Sequence, residues 1–570
     1  MHPPATFMDA YRPSLRGHRH MTSAGHYLAT QAGFQIMEAG GNAIDGGVAA
    51  GIALGVVQSE LVGMAGVAPI IIYLADEDRV VTISGLGTWP AATDPTFFAR
   101  EYPDSVPEGI LRCIIPAAPA AWIKALELYG TMSFGEVAAA AIRLAKDGFI
   151  MYALMAEVLE GKAKKYARWP ANAEIYLPGG RPPGVGENFR QVDMGNSLQY
   201  MAECEAASNG DRRAGLRAAR DAFYKGDIAQ KIAAYHGANN GLIGLDDLAD
   251  FEVEVEDALS VDVAGTRIYS CGPWCQGPML LQIMQLLRGR NIAAMGHNSA
   301  AHIHHVTEAV KLAVADRERW YGDPRFVDVP MDWLLSDDYA AQRRAMIDPR
   351  KAWPGMPPSG DPDAVQPEAN LAVLDALDTS YACVIDAKGN IFSATPSDTS
   401  SDGPVIPGLG FVPSSRGSQS RPDPDHPASI APGKRPRLTP NPAIAIRPGE
   451  WAMPLGTPGA DVQCQAMAQT LLNIDAFAMN PQQAVEAPRF ASYSFPQSFA
   501  PHAYHPGLLK LEGRIDDAVG AQLSAMGHKV EWWGNWEWMA GAMCAIRRDF
   551  ETGLLESGAD PRRACYALGW

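Results

Sequence analysis

The stretch P-E-A-N-L-A-V-L-D-A-L-D-T-S-Y-A-C-V-I-D-A-K-G-N-I-F-S-A-T, residues 367–395, changes character at Thr379. Upstream, K-A-W-P-G-M-P-P-S-G-D-P-D-A-V-Q-P-E-A-N at 351–370 is rich in proline and glycine and poor in bulky apolar residues. That composition predicts a flexible linker over 351–378. Downstream, Tyr381–Asp386 reads as a strand, Ala387-Lys388-Gly389-Asn390 as a turn and Ile391–Thr395 as the return strand. Asp378-Thr379-Ser380 therefore sits where a loose segment meets a β-hairpin.

Outward from this junction the chain alternates helix and strand. A helical pattern over 24–38 is followed by the turn Gly40-Gly41-Asn42, and a helix rich in Ala, Gly and Val starts at Ala43. Residues 69–74, P-I-I-I-Y-L, read as a buried strand, and S-F-G-E at 133–136 as a helix start. Residues 171–190 read as a loop, and Ala300 to Arg319 as one long helix. A second loop-rich region covers 396–442, and the aromatic run at 532–538 suggests a strand core or a subunit contact.

The 570 residues carry a net charge of -17, which argues against nucleic acid as a partner because phosphate binding needs a basic surface. No stretch is apolar enough to read as a membrane span, and the N-terminus lacks the apolar region of a secretory leader, so a cytoplasmic protein is expected. The eight cysteines are scattered; Cys271 and Cys275 fit neither a redox C-x-x-C nor a zinc site and read as structural thiols. His302, His304, His305 and Glu308 share a helix without the H-E-x-x-H spacing, so no metal is expected there.

A threonine hydroxyl is a weak nucleophile that needs a base. Were the chain cut before Thr379, the new α-amine, with a reference pKa of about 7.7–8.0, would lie on the same residue and serve as that base. The local pattern alone favours a threonine that merely begins a strand, since D-T-S occurs by chance.

Several further stretches carry a resemblance. They are G-G-N-A-I-D-G-G-V-A-A-G at 40–51, Y-G-T-M-S-F-G-E-V at 129–137, F-Y-K-G-D-I-A at 223–229, A-D-R-E-R-W-Y-G-D-P-R-F at 315–326, E-A-P-R-F at 486–490 and G-A-D-P-R at 558–562. In order and spacing the chain resembles the γ-glutamyltransferase family of N-terminal-nucleophile hydrolases over nearly its whole length. The resemblance implies an α+β fold, a four-layer αββα sandwich built jointly by a large piece, 1–378, and a small piece, 379–570. It implies self-cleavage between Asp378 and Thr379, with Thr379 as nucleophile and no cofactor. Ser397 and Thr399 match the positions that orient the threonine, and L-G-T-P-G-A at 455–460 matches the turn whose N–H groups, here of Gly459 and Ala460, form the oxyanion hole.

Two departures bear on the substrate. The family's transferases clamp the glutamyl carboxylate with an arginine where this chain has Leu86, and meet the α-amine with an acid where it has Gln419. Arg416 reads as a loop-stabilising arginine or as a contact for a substrate anion. Ser380, Tyr381 and Trp89 complete the expected substrate-binding set. The stretch from Arg416 through A-P-G-K-R-P-R-L-T-P at 431–440 resembles a transferase-like subgroup that hydrolyses small non-glutamyl amides such as oxamate. The expected activity is hydrolysis of a small amide through an acyl-Thr379 ester. The alternatives are a γ-glutamyl transferase or glutathione hydrolase with a relocated clamp, and an uncleaved binding scaffold. Expected partners are the amide, the two fragments of the precursor and further copies of the unit in a homo-oligomer.

Overall fold

The computed structural model describes residues 10–208, 210–361, 364, 366–374 and 378–570. Its centre is two seven-stranded antiparallel sheets. One runs, edge to edge, Leu15–Gly17, Leu555–Ala559, Cys544–Asp549, Trp451–Gly456, Ala443–Arg447, Thr266–Ser270 and Leu259–Val263. The other runs Tyr566–Gly569, Met21–Ala24, Ala382–Ile385, Ile391–Ala394, Ile70–Leu74, Arg79–Ile83 and Val255–Asp257. The expected hairpin is thus the middle of the second sheet, with Ala382 opposite Ala394 and Ile385 opposite Ile391.

Side-chain alternation along each strand sorts residues to two faces. Tyr381, Cys383, Ile385 and Ile391 meet Ile444, Ala452, Cys544 and Ile546 in a core shared by both sheets. On the hairpin's opposite face, Ala382, Val384, Phe392 and Ala394 pack under helices that include Ala43–Val57 and Phe134–Asp147. On the far side of the first sheet, Ala443, Ala445, Met453 and Leu455 pack under Gly277–Leu287, Ala300–Trp320 and Gln463–Asp475.

The Ala43–Val57 helix shows why small residues are used. Asn42 caps it, accepting from the Asp45 N–H at 3.1 Å while the Asp45 carboxylate accepts from the Asn42 N–H at 2.9 Å. Every residue of this helix is buried, and a Cβ on Gly47 would lie 2.0 Å from the Phe392 ring. Glycine there sets how closely helix and hairpin approach.

Two expectations change. Residues 171–190 are not all loop: Pro170–Tyr176 is helical and Asn188–Phe189 pairs with Phe149–Ile150. Burial of Tyr176 against Tyr166 and Phe189 outweighs the local proline and glycine. The aromatic run divides. Trp533 is buried at the end of a strand parallel to Leu508–Glu512, whereas Trp536 lies outside it and stacks on Arg514, 3.6 Å from guanidinium to ring centroid. All eight cysteines are unpaired thiols, and Cys271 and Cys275 are buried. Among the described residues no helix is long and apolar enough to cross a membrane.

Candidate active site

Thr379 lies just ahead of the central strand Ala382–Ile385, its backbone held at both ends. Its N–H donates to the Leu61 carbonyl at 2.8 Å, and its carbonyl accepts from Arg563 Nη1 at 3.1 Å. Between these, its φ is +94°. For a β-branched residue that is a strained conformation, costing about 1–3 kcal/mol, and it falls at the Asp378–Thr379 bond. The side chain is as tightly engaged. Thr379 Oγ is 2.6 Å from Ser397 Oγ and donates to Asp378 Oδ1 at 3.1 Å. Ser397 is itself fixed by reciprocal backbone bonds with Val67, its N–H donating at 2.9 Å and its carbonyl accepting at 3.2 Å.

Arg416, fully buried in the turn Arg416–Gln419, completes the cluster. Its Nη2 donates to both Asp378 Oδ2 and Ser397 Oγ, and its guanidinium lies 5.0 Å from the centroid of the Phe499 ring. Asp398, at φ +127°, accepts from Ser414 Oγ at 2.6 Å and lies 3.7 Å from Arg416 Nε. Burial raises the Asp398 carboxyl pKa above the ordinary carboxylate range, with Arg416 opposing the shift. Thr379, Ser397 and Arg416 have no exposed surface.

The oxyanion-hole candidates follow the strand Trp451–Gly456. Gly456 lies against the Tyr381 ring, where a Cβ would come within 2.2 Å, so the turn leaves its strand beside the hairpin. Gly459 has φ +122° and Ala460 +45°. Ala460 accepts a left-handed conformation that costs an L-residue about 1–2 kcal/mol. The turn is braced from behind: Gln276 Nε2 donates to the Ala460 carbonyl at 2.8 Å, and Asp461 pairs with buried Arg317.

Other expected residues lie elsewhere. Thr399 turns its hydroxyl to Ser401 Oγ at 2.9 Å, because its N–H is tied to Asp398 Oδ1 at 3.0 Å. Tyr381 belongs to the core between the sheets, its hydroxyl 2.6 Å from Ser393 Oγ, because strand alternation points it there. Ser380 faces Gly25, where a Cβ would sit 2.0 Å from its Oγ. Leu86 and Trp89 line a cavity of about 550 Å³ with Asp250, Glu252 and Arg325, and Thr379, Ser397 and Arg416 are not among its walls. Trp89 is fixed by its indole N–H, 2.9 Å from Ser420 Oγ, and by Gly417 against its ring. Gln419 spends its amide on Thr439, donating from Nε2 to Oγ1 at 2.8 Å. Lys434 and Arg435 act as loop anchors, Lys434 donating to Ser429 Oγ at 3.0 Å and Arg435 pairing with buried Asp323.

Contrary to the spacing-based expectation, His304, Glu308 and His528 bring one ligand atom each within 4.8 Å of one another, a grouping that could hold a metal ion. His304 Nδ1 is 2.9 Å from His528 Nε2, and His304 Nε2 is 2.7 Å from the Asp348 carbonyl. The Lys311 ammonium pairs with Glu308 at 2.5 Å, supplying the positive charge beside that carboxylate.

Sequence reading missed the groups behind the threonine backbone. Glu60, next to the Leu61 that receives the Thr379 N–H, is fully buried and accepts from Tyr152 Oη at 2.9 Å. Burial raises its pKa from 4.5 to about 7. The folded protein therefore retains a proton that the unfolded chain loses near pH 4.5. The associated stability is complete below that pH and is lost as the pH rises towards 7, a total on the order of 3 kcal/mol. Glu60→Gln keeps an acceptor for Tyr152 and removes the titration. Its stability relative to wild type should rise between pH 4.5 and 7, read by denaturant unfolding at a series of pH values; a constant difference across that range would refute the assignment.

The mixed α and β architecture agrees with the family comparison. The gamma-glutamyltranspeptidase family model matches residues 29–570, and the chain belongs to that family. Acylase ACY 1 proenzyme of Pseudomonas sp. (strain SE83) is 33% identical over 531 residues, 90% of this chain and 88% of that protein. Oxamate amidohydrolase proenzyme of Klebsiella pneumoniae subsp. pneumoniae is 28% identical, covering 96% of this chain and 98% of that protein. The crystal structure of cephalosporin acylase from Bacillus halodurans superposes with a TM-score of 0.86 at 26% identity, covering 100% of this chain and 99% of that one.

Proposed function

We propose that this protein is a self-processing N-terminal-nucleophile amidohydrolase in which Thr379 first cuts its own chain and then hydrolyses a small, non-glutamyl amide. The observation that carries the reading is the placement of Thr379 Oγ, 2.6 Å from Ser397 Oγ and 3.1 Å from Asp378 Oδ1 at a strained linker-to-strand junction. In processing, Thr379 Oγ attacks the Asp378 carbonyl carbon, and its proton passes to the Asp378 carboxylate, directly or through Ser397. The C–N bond breaks with proton return to the nitrogen, leaving an ester and a free α-amine. Water then hydrolyses the ester, giving fragments 1–378 and 379–570.

In the mature enzyme the α-amine takes the Oγ proton as substrate is attacked and passes it to the leaving amine. The N–H groups of Gly459 and Ala460 receive the oxyanion, and water releases the acid. The same reading places the three cores in a four-layer αββα sandwich shared by the two fragments, requires no metal or cofactor, and keeps the protein in the cytoplasm. The 28–33% identity to acylase and amidohydrolase proenzymes supports the reaction class.

By motif alignment with the family's transferases Leu86 replaces the arginine that clamps a glutamyl carboxylate, and Gln419 is committed to Thr439. Loss of two charge-assisted hydrogen bonds, each about 1.5–3 kcal/mol, should lower selectivity for glutamyl substrates on the order of a hundredfold or more. The test is kcat/KM for γ-glutamyl p-nitroanilide against simple acyl p-nitroanilides, with and without an acceptor dipeptide. Glutamyl substrates emerging as the best would return the assignment to a transferase or glutathione hydrolase with a relocated clamp.

A further inference from the structure

The uncleaved site is occupied by a piece of the protein whose chemistry describes an acyl group. Asp378 is the acyl half of the bond that Thr379 attacks. Its carboxylate lies beyond the scissile carbonyl by two carbons, Cα and Cβ, and rests on buried Arg416. The same carboxylate receives the Thr379 hydroxyl at 3.1 Å. A group that places its carbonyl against Thr379 Oγ and its far carboxylate on Arg416 therefore spans a short distance.

The fit of Asp378 is incomplete. Arg416 Nη2 is engaged, but Arg416 Nη1 is buried without a hydrogen-bond partner. A guanidinium presents two parallel donors to a carboxylate, and a residue tethered through both its peptide bonds uses only one of them here. A small free ligand is not so constrained and can engage both.

We propose that Arg416 is the acyl-side anion anchor of the mature enzyme, held by Asp378 in the proenzyme and vacated after cleavage, and that the preferred substrates are monoamides of a succinate-length dicarboxylic acid. The inference rests on the amidohydrolase reading for turnover; the occupancy of Arg416 is testable apart from it. The carboxylate would meet Arg416 bidentately, while the amide carbonyl meets Thr379 Oγ. The Phe499 ring lies against the guanidinium, its centroid 5.0 Å away.

Turnover by the mature enzyme is compared for succinyl, glutaryl and butyryl p-nitroanilides; butyryl has the length of succinyl without the charge. A charge-assisted pair predicts a succinyl-over-butyryl preference in kcat/KM between about tenfold and a hundredfold. A ratio near one overturns the anchor, while Thr379-dependent turnover of both leaves the amidohydrolase reading standing. A glutaryl optimum overturns the inferred length. Succinate binding, followed by calorimetry and thermal shift, needs no turnover. Succinate should bind the mature enzyme, fail to bind the uncleavable Thr379→Ala proenzyme, and bind again when Asp378→Ala is added to that proenzyme; butyrate should bind none of them. Equal succinate binding by the two proenzymes, or no binding by the mature form, overturns the proposal.

Discussion

Thr379→Ala should leave the protein as a single chain of 570 residues and abolish amide hydrolysis. Wild type should resolve into two fragments, the smaller beginning Thr-Ser-Tyr-Ala. Without the hydroxyl, position 379 has no nucleophile to attack the Asp378 carbonyl carbon, and without cleavage its nitrogen stays in a peptide bond and is not basic. Both roles fall together, so the loss of activity should be on the order of a thousandfold or more, as for removal of a nucleophile elsewhere. Thr379→Ser keeps the hydroxyl and relieves β-branching at φ +94°, so it should still cleave. Gel mobility and N-terminal sequencing read the outcome. Spontaneous cleavage of Thr379→Ala at the same bond in purified protein would end the mechanism.

Arg317→Ala should be the most damaging substitution outside the nucleophile cluster. Arg317 is fully buried and holds Asp461, the residue after Ala460, while donating from Nη1 to Gln276 Oε1 at 3.2 Å and from Nη2 to the Pro496 carbonyl at 3.2 Å. Gln276 in turn supports the Ala460 carbonyl. Truncation leaves the buried Asp461 carboxylate with hydrogen bonds from Ser498, its N–H at 2.8 Å and Oγ at 2.7 Å, and with no guanidinium in direct contact. Breaking a buried pair in this way costs about 3–5 kcal/mol. Measured in the Thr379→Ala background, where processing does not intervene, the loss should appear as an earlier unfolding midpoint. In the otherwise wild-type chain it should also slow cleavage and turnover through misplacement of the Gly459–Ala460 turn. Arg317→Lys should fall between, since an ammonium retains the charge without the fork geometry. A loss under 1 kcal/mol would show that the turn does not depend on this pair.

The central hairpin, the Asn42-capped helix and the Ser133 helix start were legible because each depends on neighbouring residues: a turn tetrapeptide, a cap and a periodic apolar face. Thr379 and Ser397 were legible as motif positions, and their 2.6 Å contact joins residues close in sequence through the hairpin. Arg563, Glu60 and Asp398 were not. Arg563 reaches the Thr379 carbonyl across 184 residues of sequence, and Glu60 acquires its raised proton affinity from burial, against the opposing pull of the Tyr152 hydroxyl and of Arg563. A carboxylate within the hydroxyl-rich run S-D-T-S-S at 397–401 was the available sign of Asp398. Tyr381 misled because proximity to Thr379 in sequence does not fix which face of a sheet a side chain takes.

Both sheets interleave strands from either side of the Asp378–Thr379 bond. Leu15–Gly17 and Thr266–Ser270 flank four strands of the small piece in one sheet, while Met21–Ala24 lies between Tyr566–Gly569 and Ala382–Ile385 in the other. Once the bond is cut, two polypeptides remain woven together with no covalent tie to bring them back after dissociation. Mature molecules mixed in solution should therefore not trade halves, and an inactive small fragment should not be replaced by an intact one supplied later. On the proposed cleavage, each molecule would be committed for its lifetime to the partner with which it was synthesised.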